Sequence, residues 1–264
     1  MKRKRKAKKL RILILMMVLL GVLTFVVHSL FSQAETMLSS YYDLDRFENA
    51  STGFKFYNDP DYESKIGIDV SEHNGTIDWT AVTGTGIDFA FIRAGYRGGI
   101  EGKIHEDATF AYNMEQAQDK GLKLGVYWYS SAINTTELQE EIDFVLSLVS
   151  SYSIDLPIVF DMEFFDEQEG RINTLSVEEK TDLALMFCDA MEEHGYESMI
   201  YGNLDWFYNQ LDFSRIQDRN LWYAAYQDKP AMQDRFMIWQ YSHTGTLPGI
   251  STNVDMNIMP VKNK

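Results

Sequence analysis

The chain has a single cysteine, Cys188, among its 264 residues. One cysteine excludes an intramolecular disulfide. This fits an exported bacterial protein better than a secreted animal domain, which more often depends on disulfides. Cys188 itself lies in a helical pattern and is interpreted as a core residue. The chain also lacks internal repeats and low-complexity tracts, and its length suits one large domain or two small ones.

Several signatures of nucleophile and cofactor chemistry are also missing. No Gly-x-Ser-x-Gly elbow occurs, so a serine hydrolase is not indicated. The five histidines have no metal-ligand spacing such as His-Glu-x-x-His. Gly84 and Gly86 lack the lysine and the following helix that a phosphate-binding loop requires. The sequence therefore predicts no cofactor.

Acidic residues are absent from the first 34 positions. Eight of the 24 Lys and Arg residues lie within residues 1–11, and a largely apolar run follows at 12–31. About 20 apolar residues span a bilayer as a helix, and a basic cluster stays on the cytoplasmic side. We therefore predict a basic cytoplasmic head at 1–11, a membrane anchor at 12–31 and an extracytoplasmic remainder. The alternative is a signal peptide cleaved after Ala34, which would leave the protein secreted.

Beyond the basic head the chain is strongly acidic, because 16 basic residues remain against 39 acidic ones. Such a surface repels phosphate backbones, so we expect no nucleic-acid partner. Aromatic residues make up 14% of the chain, which favours a surface that stacks on sugar rings. Residues 32–64 are polar but rich in Tyr and Phe, and we predict a stalk that partly docks on the next domain.

From residue 65 onward, strand-like and helix-like segments alternate. The strand patterns lie at 66–70, 88–93, 122–129, 157–163, 197–202, 220–226, 236–241 and 253–258. Helical patterns lie at 107–120, at 135–148 with Thr135 or Thr136 as the cap, and beyond a capping box at Ser176 as far as about residue 193. Eight strands with regular helices mainly in the first half predict an irregular, TIM-like β/α barrel at 65–264. The alternative is an open doubly wound sheet.

Two carboxylates one residue apart, Asp161 and Glu163, follow the apolar run 156–160. On a strand both side chains point to the same face. Like charges held that close cannot both ionise easily, so one carboxyl keeps its proton to higher pH. A proton donor beside a carboxylate can cleave a glycosidic bond. The alternative is an acidic pair that Arg or Lys neutralises.

Two further acids, Asp69 and Asp255, lie in the first and last predicted strands. Active sites of β/α barrels lie at the C-terminal ends of the strands, so we expect all four carboxylates to meet at one mouth. A Mg²⁺ or Ca²⁺ site is the main alternative use of these acids. Aromatic and amide side chains at the same ends are predicted to bind sugar, although some of them would belong to the barrel core. They are Tyr127, Tyr129, Tyr201, Trp222, Tyr226 and Gln240.

The chain strongly resembles the glycoside hydrolase family 25 lysozymes, the Chalaropsis-type muramidases, over residues 65–259. An ordered set of motifs carries this resemblance: Gly67-Ile68-Asp69-Val70-Ser71, Asn74-Gly75, Ile77-Asp78-Trp79, Phe91-Ile92-Arg93-Ala94, Gly125-Val126-Tyr127-Trp128-Tyr129, Asp161-x-Glu163, Trp222-Tyr223-Ala224-Ala225-Tyr226, Trp239-Gln240-Tyr241 and Val254-Asp255. The Asp-x-Glu pair alone is a weak signature, whereas the ordered set is highly specific. The chain departs from the pattern at Trp128, where many relatives have His.

The resemblance implies an irregular β/α barrel that hydrolyses the β-1,4 bond from N-acetylmuramic acid to N-acetylglucosamine in peptidoglycan. It implies that Glu163 is the general acid and that Asp161 assists, either as nucleophile or by orienting the substrate N-acetyl group. Asp69 and Asp255 would complete the acidic floor. The alternative is a peptidoglycan-binding module without turnover, as part of an envelope assembly. The presence of all four acids favours the enzyme.

Overall fold

The computed structural model describes residues 42–165 and 169–263. The predicted basic head and the predicted anchor at 12–31 lie outside these residues. No helix in the described part of the chain is both long and apolar enough to cross a membrane. One compact unit extends from Asp43 to Lys264.

Strands and helices alternate through most of this unit. Its strands are β1 (Phe47–Asn49), β2 (Lys55–Tyr57), β3 (Tyr62–Val70), β4 (Phe89–Arg97), β5 (Ile104–Glu106), β6 (Lys123–Tyr129), β7 (Ile158–Asp161), β8 (Ser198–Gly202), β9 (Leu221–Ala224), β10 (Ile238–Gly245) and β11 (Val254–Lys262). Its α-helices are α1 (Trp79–Thr83), α2 (Phe110–Asp119), α3 (Thr135–Val149), α4 (Val177–Glu193) and α5 (Phe213–Ile216). A π-helical turn, Trp206–Gln210, follows β8.

Eight of the strands close into a barrel. β3, β4, β6, β7, β8, β9 and β10 pair in parallel in that order. β11 runs antiparallel to both of its neighbours, β10 and β3, and so completes the ring. The predicted eight-stranded barrel is therefore confirmed, and the open sheet is wrong because no edge remains between β3 and β4. β5 is an additional strand that forms a hairpin with β4 outside the ring.

The long helices occur in the first half of the barrel, as predicted. α4 begins with the predicted capping box, in which the Ser176 hydroxyl accepts from the Glu179 backbone N–H at 3.2 Å. The predicted cap of α3 is wrong by one position. Asn134 caps this helix because its Oδ1 accepts from the Glu137 backbone N–H at 2.9 Å, which leaves Thr135 inside the first turn.

The barrel interior is filled by side chains from the strands. β7, β8 and β9 are buried along their whole length, which explains why they appear in the sequence as apolar runs. Phe91 packs against Trp222 with ring centroids 4.6 Å apart. A Cβ atom at Gly125 would lie 2.2 Å from the Phe91 ring, so only glycine at this position of β6 leaves room for that ring.

The described part of the predicted stalk packs on the barrel. β1 and β2 form an antiparallel hairpin, and Phe47 is buried edge-on against Trp239 of β10 at 5.3 Å. Lys55 donates to the backbone oxygen of Asp228 at 2.6 Å. The hairpin therefore contacts the connection between β9 and β10, which lacks a crossover helix.

A buried ion pair joins β4 to α3. Arg97 is 4% exposed and its Nε lies 2.7 Å from Oε1 of Glu141, whose side chain is fully buried. Ser130 donates to the other carboxylate oxygen at 2.6 Å. The same guanidinium also contacts the exposed carboxylate of Glu140 at 2.9 Å. Arg97 thus has one buried and one exposed acidic partner on α3, and it also donates to the Glu137 backbone oxygen in the first turn of that helix.

Replacing the buried partner should destabilise the fold far more than replacing the exposed one. We expect Glu141→Ala to lower the free energy of unfolding by about 3–5 kcal/mol, because it leaves the Arg97 charge buried without its partner. Glu140→Ala is the matched control and should cost less than about 1 kcal/mol. Urea denaturation of the two variants measures the difference. Equal losses of unfolding free energy in the two variants would show that burial of the Arg97–Glu141 pair does not determine its contribution to stability.

Candidate active site

A groove opens at the mouth of the barrel, where the parallel strands end. Its volume is about 920 Å³. All ten residues that the sequence predicted for the site line this groove: Asp69, Tyr127, Tyr129, Asp161, Glu163, Tyr201, Trp222, Tyr226, Gln240 and Asp255. They come from seven different strands or strand ends, so only closure of the barrel brings them together.

Asp69, near the end of β3, is held by two amide side chains. Its Oδ2 accepts from Gln240 Nε2 at 2.9 Å and from Asn257 Nδ2 at 2.7 Å. The Asn257 amide is oriented in turn by Trp222, whose Nε1 donates to Asn257 Oδ1 at 2.8 Å. All four residues are buried. The indole therefore fixes the amide, and the two amides fix the carboxylate.

Gln240 is oriented from the other side by two phenols. Tyr201 and Tyr226 each donate a hydroxyl proton to Gln240 Oε1 at 2.9 Å. Because this oxygen is occupied, the Gln240 amide nitrogen is directed at Asp69. Four of the predicted sugar-binding residues, Tyr201, Tyr226, Gln240 and Trp222, thus belong to one hydrogen-bond network that positions an acid.

Asp255 lies opposite Asp69 across the antiparallel β11–β3 pair. Side chains opposite each other in such a pair lie close together, so two acids there repel each other. Burial raises the pKa of Asp69 well above its ordinary value and the Asp255 charge raises it further, whereas the amide hydrogen bonds lower it. Burial also raises the pKa of Asp255 to about 6, against a smaller opposing effect of His243.

The predicted strand through Asp161 and Glu163 is too long by two residues. β7 ends at Asp161, because Met162 and Glu163 have left the strand. Tyr129 nevertheless holds the segment that follows, since its hydroxyl donates to the Glu163 backbone oxygen at 3.2 Å. Both carboxylates line the groove, although not through the alternation of one strand.

The two carboxyls of this pair have different surroundings. Asp161 is 7% exposed, and its Oδ1 has no hydrogen-bond partner among the described residues. Burial raises its pKa well above the ordinary value, the charges of Glu163 and Asp69 raise it further, and Arg93 lowers it. Glu163 is only partly buried. Burial raises its pKa to about 6, and the Asp255 charge acts in the same direction.

Arg93 of β4 lines the groove and was not predicted as a site residue. Its Nε donates to Asp107 at 2.8 Å and its Nη2 to Glu72 at 3.1 Å. The guanidinium also lies over the Tyr96 ring, 5.1 Å from the centroid. Two acids outside the four predicted ones therefore hold this cation beside the groove, where it lowers the pKa of Asp161.

The aromatic residues of the site differ in accessibility. Tyr226 is 50% exposed, whereas Tyr201 is 8% and Trp222 only 2% exposed. Trp222 makes edge contacts with Tyr201 at 5.2 Å and Tyr127 at 6.3 Å. Trp128 is fully buried and packs on Phe144 of α3. Trp222 and Tyr201 therefore form mainly the base of the groove. This agrees with the prediction that some of the aromatic residues belong to the barrel core.

Sequence reasoning missed Asn257 as well as Arg93. Asn257 is two residues after Asp255 in a predicted strand, so the same period-2 alternation could have placed it on the side of the acids. In the described part of the chain, no group of three or more His, Cys, Asp or Glu side chains is arranged to hold a metal ion.

Comparison with known proteins identifies the family to which the chain belongs. A family model described as "Glycosyl hydrolases family 25" matches residues 68–250, more than half of the chain. The autolytic lysozyme of Clostridium acetobutylicum is 27% identical over 192 residues, which cover 72% of this chain and 54% of that protein. Lysozyme M1 of Streptomyces globisporus is 26% identical over 200 residues, with 72% and 66% covered. The chain thus spans about half the length of the autolytic lysozyme.

Solved structures show the same fold. The modular autolysin LytC from Streptococcus pneumoniae, in complex with a synthetic peptidoglycan ligand, aligns with a TM-score of 0.67 at 23% identity, over 80% of this chain and 49% of that one. A family 25 glycosyl hydrolase from Bacillus anthracis aligns with a TM-score of 0.63 at 24% identity, over 76% and 91%. At these identities the likeness concerns the fold alone.

Removing one acid of the opposed pair should stabilise the protein. The raised pKa of Asp255 means that the folded state binds its proton more tightly than the unfolded chain does. The carboxyl therefore favours folding at low pH, and this contribution is lost as pH rises through about 6. We expect Asp255→Asn to stabilise the fold at pH 7.5 by about 1 kcal/mol, or 2–4 °C in Tm.

Thermal denaturation at pH 7.5 and at pH 4 measures this effect. The gain in Tm should disappear at the lower pH, because Asp255 is then protonated in the native protein. Asp218→Asn, at an exposed position in the turn after α5, is the control and should leave Tm unchanged at both values. A lower Tm for Asp255→Asn at pH 7.5 would contradict the repulsion.

Proposed function

The chain belongs to the glycosyl hydrolases of family 25, and on that basis we propose that it cleaves the β-1,4 bond between N-acetylmuramic acid and N-acetylglucosamine in peptidoglycan. The observation that carries the proposal is the meeting of Asp69, Asp161, Glu163 and Asp255 in one groove. Glycosidic cleavage needs one protonated and one ionised carboxyl, and this groove has acids whose pKa values are raised to different extents.

Glu163 is proposed as the general acid. Its pKa of about 6 leaves roughly a tenth of the carboxyl protonated at pH 7, far more than an ordinary glutamate keeps. Its partial exposure in the groove gives the carboxyl access to the glycosidic oxygen. Ionisation of Glu163 is opposed by burial and by the Asp255 charge, so Asp255 would support the acid role without contacting the scissile bond.

Asp161 is proposed to assist, either as the nucleophile or by orienting the substrate N-acetyl group. Its Oδ1 atom is buried and lacks a hydrogen-bond partner among the described residues. A buried acceptor without a partner is costly, and an amide N–H of the substrate would satisfy it. Both roles require the ionised form of Asp161, which burial and the charges of Glu163 and Asp69 disfavour and which the Arg93 charge favours.

The sugar would be bound by the aromatic residues at the base of the groove. Tyr226 is the most exposed of the predicted set, so we propose its ring as a stacking surface for a sugar face. Tyr127 and Tyr129 would contribute hydroxyl groups to the polar edges of the glycan, whereas Gln240 would act by holding Asp69. Tyr201 and Trp222 would act mainly by holding Gln240 and Asn257.

We also propose that the barrel lies outside the cytoplasmic membrane, tethered by residues 12–31. The support is the order of a basic cluster and an apolar run in the sequence. A tether would keep the groove next to the peptidoglycan layer. Cleavage after Ala34 would instead release the same domain, and the mass of the mature protein distinguishes the two forms.

Loss of the proposed acid should abolish turnover while leaving the groove intact. We expect Glu163→Gln to lower kcat by at least about a hundredfold, the usual scale for a general acid. The measurement is the release of new reducing ends from purified peptidoglycan, with identification of the sugar at those ends. Muramic acid there would establish the bond that is cleaved.

Glu178→Gln, at an exposed position in the first turn of α4, is the matched control and should turn over normally. Near-normal turnover by Glu163→Gln would reject the acid assignment. Pelleting of the wild-type chain with peptidoglycan without release of reducing ends would favour the binding module.

The pH profile should follow the ionisation of Glu163. We expect kcat/KM to fall about tenfold for each pH unit above about 6, because the ionised carboxyl cannot donate a proton. Asp255→Asn removes a negative charge that raises the pKa of Glu163, so the falling limb should move to lower pH. Kinetics across pH 4–9 give the position of the limb. If the activity of Asp255→Asn falls at the same or a higher pH than that of the wild type, the effect of the Asp255 charge on Glu163 is rejected.

A further inference from the structure

A buried lysine lies behind the groove. Lys180 of α4 is 3% exposed, and its Nζ donates to Gln210 Oε1 at 2.9 Å. Among the described residues, no carboxylate lies within ion-pair distance of this ammonium group. Burial lowers the pKa of Lys180. A buried cation needs compensation, and a single neutral amide supplies only part of it.

Two aromatic rings supply the remaining contacts. The Lys180 Nζ lies 5.0 Å from the centre of the Phe164 ring and 5.6 Å from that of Trp206. The two rings meet edge to face, with centroids 5.1 Å apart and planes at 83°. Distances below about 6 Å are those of cation–π pairs, which are strongest where water is excluded. Lys180 therefore connects α4 to the turn after β8 and to the segment after β7.

Phe164 links this buried cluster to the groove. It directly follows Glu163, lines the groove, and is 40% exposed. An exposed aromatic side chain whose ring is already held on one side presents a fixed apolar surface to the groove. Sugar rings have apolar C–H faces that pack on such surfaces. No motif in the sequence marked Phe164, because a phenylalanine after an Asp-x-Glu pair has no chemical signature of its own.

We propose that Phe164 is a sugar-contacting residue of the groove and that Lys180 is the positioning residue that fixes its ring. The inference rests on the proposed function for the identity of the ligand, a peptidoglycan glycan strand. Gln210 fixes the ammonium group at 2.9 Å, and the ammonium group in turn restricts the Phe164 ring. A neutral side chain of similar length at position 180 would fill the space without attracting the ring.

The test separates ring contact from general stability. Phe164→Leu should raise KM about threefold to tenfold, the scale of one lost ring contact, with a smaller change in kcat. Lys180→Met keeps the length of the side chain but removes the charge, and should raise KM to a similar extent. The double variant should be no worse than the worse single one, because both changes remove the same contact. Lys180→Arg, which keeps the cation, should restore KM to within about twofold of the wild type.

A binding assay makes the outcome independent of turnover. The same substitutions are placed in the full chain carrying Glu163→Gln, and pelleting with purified peptidoglycan is measured. Phe164→Leu and Lys180→Met should weaken pelleting by the same factor as they raise KM. Lys123→Met, at an exposed lysine paired with Asp155, is the control and should change neither quantity.

Several results would overturn the inference. One is unchanged pelleting and unchanged KM for Phe164→Leu. Another is a lower Tm for Lys180→Met with wild-type KM, which would show a structural role only. If Lys180→Met does not fold, Gln210→Met, which removes the hydrogen bond to the ammonium group, serves for the same comparison. Absence of turnover in the wild-type chain would reject the proposed function, whereas weaker pelleting of Phe164→Leu would still support the contact.

Discussion

The antiparallel pairing of β11 between β10 and β3 is the constraint on which the site depends. This pairing closes the barrel. It also reverses the direction of the last strand, so that the start of β11 lies at the same mouth as the ends of the parallel strands. Asp255 is thereby placed opposite Asp69, and Asn257 within 2.7 Å of the same carboxylate. A parallel β11 would have carried Asp255 to the other end of the barrel.

The four acids at this mouth destabilise the folded protein, but they supply the carboxyls that the proposed reaction needs. Four carboxyls with raised pKa values share one groove; burial disfavours the ionised form of each, and for Asp69, Asp161 and Glu163 the charge of a neighbouring acid does so too. Neutral donors rather than cations hold Asp69, so no positive charge in direct contact offsets its repulsion of the other acids. The packed apolar interior of the barrel offsets this cost.

The sequence predicted the fold well because the barrel strands are buried on both sides. Strands of that kind appear as continuous apolar runs bounded by turns, and all eight patterns correspond to observed barrel strands. The errors lie at boundaries. β7 stops at Asp161, two residues early, and α3 is capped by Asn134 rather than by a threonine. Both depend on local hydrogen bonds that periodicity does not describe.

For the site, the sequence by itself determined which acids and aromatic residues lie at strand ends, since burial and alternation fix those positions along each strand. Only the tertiary structure decided how they act on one another. Asn257, Arg93 and Phe164 have roles set by neighbours from other parts of the chain: the carboxylate of Asp69, the acids that hold the guanidinium, and the buried Lys180. The pKa of Glu163 likewise depends on Asp255, 92 positions away in the chain. Electrostatic and packing interactions depend on distance in space, and the closed barrel is what sets those distances.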